Sequence, residues 1–338
     1  MAFGKTPTGV AAGVAAFPVG SCCLWLYVLL AYTHTNCNNI QVIPCLNSPP
    51  KVLFIDDDEN FVFALESVVP PRIPSQFVIH AHDVDLLLKD EADLLLREQQ
   101  MFMAVVNGEH RVPLMAAADY FMWPGRKNIV SVLVSDHYMP AENGVSLCAR
   151  HSHVGLQRLL LTGTPDSELA IDAFNAGSIE HFLPKQTDGM AVKLIEAVEI
   201  RHAASLQARS RLLREALSTD HGRSLSRLDV WSAVMGHLER ADVTDFLVLD
   251  QPFGILGATP RGDLVWFAIE DDASLRELEL VVQEATEFKV KPRDVRSAKL
   301  IPNLDLAAQV SGVEPTTSPG CPLGEGLYLA AFPFKVCT

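Results

Sequence analysis

The sequence predicts an α/β protein built on a doubly wound, five-stranded parallel sheet with an insertion, followed by a long helix and a smaller α+β module. Three observations carry this prediction. Between Lys51 and Asp188, short continuous apolar runs alternate with stretches of helical period; such runs suit strands buried on both faces, and the alternation implies helices wrapped on both sides of a sheet. Four of the five runs end at polar residues able to do chemistry. The chain of 338 residues, 49% hydrophobic and 20% charged, is also large and apolar enough for two cores.

The elements follow in order. Val52-Leu53-Phe54-Ile55 reads as the first strand and stops at Asp56-Asp57-Asp58. Glu59 to Val69 has helical spacing and is ended by Pro70-Pro71. Gln76 to Ala81 reads as the second strand, Ile129 to Ser135 as the third, ending at Asp136, and Gln157 to Leu161 as the fourth, ending at Thr162. Ser167 to Ala176 is a helix stopped by Gly177, and His181-Phe182-Leu183 is a fifth strand that runs into Pro184-Lys185.

Ligands of an open parallel sheet sit beyond the carboxyl ends of its strands, where strand order reverses. Asp56, Asp57, Asp136, Thr162 and Lys185 all fall at such ends. Crowded carboxylates are costly unless a cation joins them, and Mg²⁺ suits carboxylates that also meet a phosphate. One carboxylate can then attack phosphorus to form an acyl phosphate, with a hydroxyl and an ammonium neutralising the transferred group.

These pieces resemble the response-regulator receiver family. The resemblance rests on Val52 to Asp58, Ser135-Asp136-His137-Tyr138-Met139-Pro140 with Asn143-Gly144, Leu161-Thr162-Gly163, and Phe182-Leu183-Pro184-Lys185, which lie in the family's order over residues 51 to about 188. It implies a flavodoxin-like receiver in which Asp136 is phosphorylated. Mg²⁺ would be held by Asp56, Asp57, Asp136 and the backbone carbonyl of Tyr138. Thr162 and Phe182 would be the switch hydroxyl and switch aromatic, and Lys185 would contact the phosphate. Asp58, His137, Met139 and Pro140 would border the site. The implied partner is a sensor histidine kinase or phosphotransfer protein, and the implied place of work is the cytoplasm.

The sequence departs from the family at three points. Gln186 replaces the usual proline after the lysine, which is expected to loosen that loop, and Phe182 lacks a tyrosine's hydroxyl. Asp57 and Asp136 are 79 positions apart, where helix, strand, helix and strand need roughly 45 to 50. The surplus is expected within 84–127, where Leu87, Leu94 and Met101 repeat every seven residues. That stripe reads first as packing within its own domain and second as a dimer surface.

The expected division is therefore a leader, 1–50; a receiver, 51–189, with the insertion; a helical linker, 190–220; an output module, 226–310; and a loosely ordered tail, 311–338. Thr6 to Pro50 holds no charged residue, and three readings of the leader stand open: a disordered or spurious start, a membrane anchor over residues 10–32, or an export signal. Ala191 to Leu217 reads as one helix, and a homodimer through 190–217 is a second candidate for pairing. Its Arg201, Arg209, Arg211 and Arg214 form a basic cluster, but the net charge of −14 argues against nucleic acid. The histidine pairs His80/His82 and His151/His153 read as exposed loop residues, and the seven cysteines show no metal or disulfide spacing.

Beyond residue 226, a helix over Leu228 to Arg240 precedes three strands, with Thr259 to Asp263 turning between the last two, and Ser274 with Glu277 is expected to cap a further helix. No basic recognition helix follows, so the expected role is a response regulator signalling through a module that does not bind DNA. The alternative is the receiver portion of an enzyme, a hybrid kinase or a receiver-controlled catalytic output. Its weakness is that Glu199 to Ala203 around His202 lacks the kinase pattern and no Gly-rich nucleotide segment follows.

Overall fold

The computed structural model describes residues 43–107, 112–163, 167–285 and 288–336; the apolar stretch 10–32, and with it the three readings of the leader, lies outside them. The described chain opens with strand β1 (Leu46–Asn47) and turns through Lys51 into β2 (Val52–Ile55), buried along its whole length. Asp58 caps α1 (Glu59–Val68) by accepting the backbone N–H groups of Asn60 and Phe61. Then come β3 (Ser75–Val78), α2 (Ala81–Leu88), α3 (Glu91–Asn107) and α4 (Pro113–Met122). A 3-10 turn at Pro124–Asn128 returns the chain to β4 (Val132–Asp136). Next are α5 (Gly144–Arg150), β5 (Gln157–Thr162), α6 (Ser167–Asn175) and β6 (His181–Pro184).

Strands β2 to β6 form a parallel sheet in the order β3-β2-β4-β5-β6. It is packed on both faces: Phe54, Val132 and Leu159 look toward Leu194 and Val198, while Leu53, Leu133 and Leu160 look toward Val84 and Leu147. The predicted doubly wound sheet is therefore present. The second strand is shorter than its expected span because Ala81 already opens α2.

Beyond Leu88, the insertion packs outside the receiver core. From α3 and α4, Phe102, Val105, Leu114, Tyr120 and Phe121 join one continuous core with strands from the far end of the chain. The Leu87, Leu94, Met101 stripe is divided accordingly, since Leu87 packs on the receiver and Met101 on this second core. Its spacing marks neither a single receiver insertion nor one uniform face.

The expected single helix after the receiver is broken at Ser210 into α7 (Met190–Arg209) and α8 (Arg211–Ala216). Leu194 and Val198 of α7 pack on the receiver, and Leu206 packs on the second core, so α7 spans both bodies rather than tethering them. Helices α9 (Thr219–Leu225) and α10 (Leu228–Arg240) follow; α10 buries Val230, Trp231, Val234 and Leu238. Next are β7 (Asp245–Leu249), β8 (Gly254–Ala258), β9 (Leu264–Glu270) and α11 (Asp272–Glu284). Asp271 caps α11 with Ser274 as its reciprocal partner, one turn before the expected Ser274 and Glu277 cap, because Asp271 is already in extended backbone.

The chain ends through α12 (Pro292–Arg296), β10 (Ile301–Pro302), α13 (Leu304–Gln309), β11 (Thr317–Ser318), β12 (Cys321–Gly324) and β13 (Leu327–Phe334). The stretch expected to be a loose tail is thus structural: β13 pairs with β9 from Tyr328↔Glu270 to Phe334↔Leu264. Its pairing with β9 and the burial of Leu329, Ala330, Phe332 and Phe334, not composition, hold it in the core. The antiparallel sheet has the order β1-β7-β8-β9-β13-β12, with β1, taken from the expected leader, paired on β7.

Two buried ionic groups sit where the bodies meet. Arg209, at the end of α7, donates from Nε and Nη2 to Glu98 of α3 at 2.8 and 2.5 Å, and Tyr120 donates to the same carboxylate at 3.0 Å. Glu91 accepts the backbone N–H of Val130 at 2.9 Å, but its other oxygen is buried without a hydrogen-bond partner among the described residues. Burial pushes the Glu91 carboxyl up to about 7, partly opposed by the Val130 N–H and by Arg209.

Removing one member of a buried ion pair strands the other in low dielectric. Arg209→Met is expected to cost about 3–5 kcal/mol in urea unfolding, and adding Glu98→Leu to recover most of it; a double variant no better than the single would contradict this. For Glu91, the raised pKa means that the unfolded chain ionises first as pH rises, so stability is lost between about pH 4.5 and 7. Glu91→Gln should therefore stabilise the protein by about 1–3 kcal/mol near pH 8 and leave it unchanged near pH 4. Urea unfolding at both pH values checks the sign.

Candidate phosphoryl-transfer site

Strand order reverses between β2 and β4, and their register pairs Ile55 with Ser135. The next residues, Asp56 and Asp136, therefore emerge side by side at one edge, both almost fully buried. Asp57 follows on the exposed side, and ligand oxygens of Asp56, Asp57 and Asp136 all lie within 4.8 Å of one another. The pairing Thr162↔Pro184 brings Lys185 to the same edge, with the Lys185 backbone N–H donating to the Thr162 carbonyl at 2.8 Å.

Lys185 joins the two buried carboxylates: its Nζ lies 2.7 Å from Asp136 Oδ1 and 2.6 Å from Asp56 Oδ2. The second contact is an ion pair at an oxygen buried from solvent. The ammonium also lies 4.3 Å from the centre of the Phe61 ring, whose face favours a cation. Burial pushes the Asp56 carboxyl up, Lys185 works against this, and neighbouring Asp136 adds to it. Burial alone would lower the Lys185 ammonium, but Asp136 and Asp56 outweigh it and hold its pKa above the ordinary lysine value.

The loops fix the remaining geometry. Asp136 Oδ2 accepts the backbone N–H of Tyr138 at 2.8 Å, and His137 is tied by its own N–H to the Leu161 carbonyl and by its carbonyl to the Gly144 N–H. His137 is buried beside the exposed Tyr138, their rings 4.2 Å apart. Met139 packs on the receiver core and Pro140 is exposed. Asp58, whose side chain is spent on capping α1, borders the cluster, and its backbone N–H donates to Asp56 at 3.1 Å. Thr162 is buried, and Phe182 is half-buried against the core that holds Leu160 and Ile179.

Two features were harder to read in the sequence. Gln186 was expected to loosen its loop for want of a proline; instead its amide donates to the Gly163 carbonyl and ties the loops after β5 and β6 together. Gly144 has a steric role: a Cβ there would lie 2.0 Å from the Asp136 carbonyl oxygen. The histidine pairs are not all loop residues in water. His80 and His82 are exposed, but His151 is buried with Nε2 2.8 Å from Asp85.

No protein-family model matches the sequence, and no curated protein matches it. Among solved structures, the response regulator LqsR of Legionella pneumophila superposes with a TM-score of 0.60 over 88% of this chain and 91% of its own, at 16% identity. The chain has the fold of a response regulator. The likeness spans the receiver and the module beyond it. Two receiver structures match in part. The signal receiver domain of an HD domain-containing protein from Pseudomonas fluorescens Pf-5 gives a TM-score of 0.31 at 22% identity, over 46% of this chain and 89% of that one. The receiver domain of Francisella response regulator 1452 gives 0.30 at 18% identity, over 45% and 96%.

Gly144→Ala is expected to destabilise the receiver by about 1–3 kcal/mol, because the added carbon meets backbone that cannot step aside. Gly163→Ala, whose nearest neighbour would be Gln186 Nε2 at 3.8 Å, should shift thermal unfolding far less. Equal losses in the two variants would contradict the steric assignment.

Proposed function

We propose that this protein is a response regulator that accepts a phosphoryl group on Asp136. The observation that carries the reading is the Lys185 ammonium set against carboxylates from two adjacent strands, with Asp57 open beside them. Three carboxylates against one ammonium leave negative charge in excess, which fits a divalent cation with oxygen ligands. The residues that would hold Mg²⁺ are Asp56, Asp57, Asp136 and the Tyr138 carbonyl, and bound there it would neutralise charge on the transferred group.

The work of the side chains follows from their placement. A carboxylate oxygen of Asp136 attacks phosphorus while the P–N bond to the donor's histidine breaks and the imidazole leaves with the electron pair. Lys185 stands ready to pair with a phosphoryl oxygen, and the Thr162 hydroxyl to donate to another. Phe182, only half-buried, is the aromatic whose repacking would report the change. The donor would be a sensor histidine kinase or a phosphotransfer protein.

The output is proposed to work through protein contacts and not through DNA. The basic cluster that could have suggested otherwise is largely engaged within the chain: Arg209 is buried on Glu98, Arg211 pairs with Glu215, and Arg201 and Arg214 donate to the carbonyls of Glu180 and Gln207.

Incubation with acetyl phosphate and Mg²⁺, read by intact mass, is expected to add one hydroxylamine-labile phosphoryl group to the wild type and none to Asp136→Asn. Equal hydroxylamine-labile gain in both proteins, or none in either, would contradict the assignment.

A further inference from the structure

The module beyond the receiver holds an imidazole fixed in one tautomer with its second nitrogen open. Nδ1 of His221, on α9, lies 2.7 Å from Oδ1 of Asp250, the residue after β7. The backbone N–H of Ser218 donates to the same oxygen at 2.7 Å, so the carboxylate is itself held in place. A carboxylate only accepts, so in the neutral ring the proton sits on Nδ1 and the lone pair is left on Nε2. Phe253 stacks on the ring with centroids 3.8 Å apart and planes 3° from parallel, which fixes its orientation.

Nε2 has no hydrogen-bond partner among the described residues and is not a buried atom; the side chain is 33% exposed. The contrast with other ordered histidines is informative. His202 is buried with Nε2 on the Ser48 carbonyl, and His151 has Nε2 on Asp85, so each has that nitrogen occupied. His221 alone of these three is oriented through Nδ1 and presents Nε2 to solvent.

We propose that His221 is a second phosphoryl-accepting residue of this chain, modified at Nε2, with Asp250 as its positioning residue. The ligand class is a phosphoryl group on a good leaving group, an acyl phosphate or a phosphoramidate. The Nε2 lone pair attacks phosphorus and forms the P–N bond. The bond to the leaving group breaks, and the carboxylate of the acyl phosphate, or ammonia from phosphoramidate, departs with the electron pair. In the neutral ring Nε2 carries no proton, so none has to leave, and the positive charge gained by the ring is met by Asp250 across the Nδ1–H. The proposal rests on the reading of Asp136 only where that residue is the donor.

Potassium phosphoramidate, applied to full-length Asp136→Asn and read by peptide mapping of alkali-stable phosphohistidine, tests the site without the receiver. His221 is expected to be modified at least tenfold faster than the exposed His80 and His82. Asp250→Asn keeps a side-chain oxygen for Ser218 but removes the charge, and should slow His221 tenfold with the thermal midpoint unmoved. A rate at His221 no greater than at His80, or one indifferent to Asp250→Asn in a protein that still melts normally, would overturn the proposal. Acetyl phosphate on the wild type then identifies the source. Phosphohistidine at His221 that disappears with Asp136→Asn assigns the donor to the receiver, and modification by phosphoramidate alone assigns it to an external donor. Failure of aspartyl phosphate to form on Asp136 would leave the phosphoramidate result standing.

Discussion

Placing two buried carboxylates and an exposed third within 4.8 Å of one another is the constraint around which the receiver is arranged. Parallel strands deliver it, because every strand end that faces the same way contributes its next residue to the same edge. Asp56 and Asp136 arrive there in register from neighbouring strands, and Lys185 arrives two strands away. Burial makes the ionised pair costly, and the single ammonium that bridges it offsets part of that cost. Much of the surrounding loop geometry serves this arrangement: Gly144 lets α5 start against the Asp136 carbonyl, and Asp58 ends the acidic run by capping α1.

The second feature is the way the two bodies share one chain. Residues before β2, the helices between α2 and β4, and much of the described chain after the middle of α7 pack into one core with the antiparallel sheet, while Val282, Phe288 and Val295 form a small cluster of their own. The receiver is thus joined to the module at several points of its own sheet, not by a single hinge. The Arg209 and Glu98 pair closes this junction, and Gly155, in the loop before β5, lies directly against the Arg209 side chain. A shift in the receiver strands would be felt at that buried pair, where interfaces change by discrete repacking more readily than by smooth deformation.

The receiver was legible because its signals are local. Four apolar residues followed by Asp56, or a strand ending at Asp136, can be read without knowing what packs on them, and strand direction then fixes where the side chains converge. The Lys185 contact follows the same logic. What escaped reading depended on partners distant in sequence. Phe102 and Tyr120 look like any apolar helix face, and only the sheet formed by residues 245 to 334 makes them its core. Leu46 and Asn47 are too short a strand to show a period, and β13 hides in a Pro- and Gly-rich tail because its pairing with β9, not its composition, orders it. The His221 and Asp250 contact joins residues 29 apart and had no motif to announce it.

The carboxylates beyond β2 and β4 are proposed to form one divalent-cation site. Titration of Mn²⁺, followed by loss of the free-ion paramagnetic resonance signal, tests this most directly. The wild type is expected to show one saturable site that Mg²⁺ displaces, weakened at least tenfold in Asp57→Asn. Binding that is the same in both proteins, or that shows no saturation in the wild type, would contradict the account.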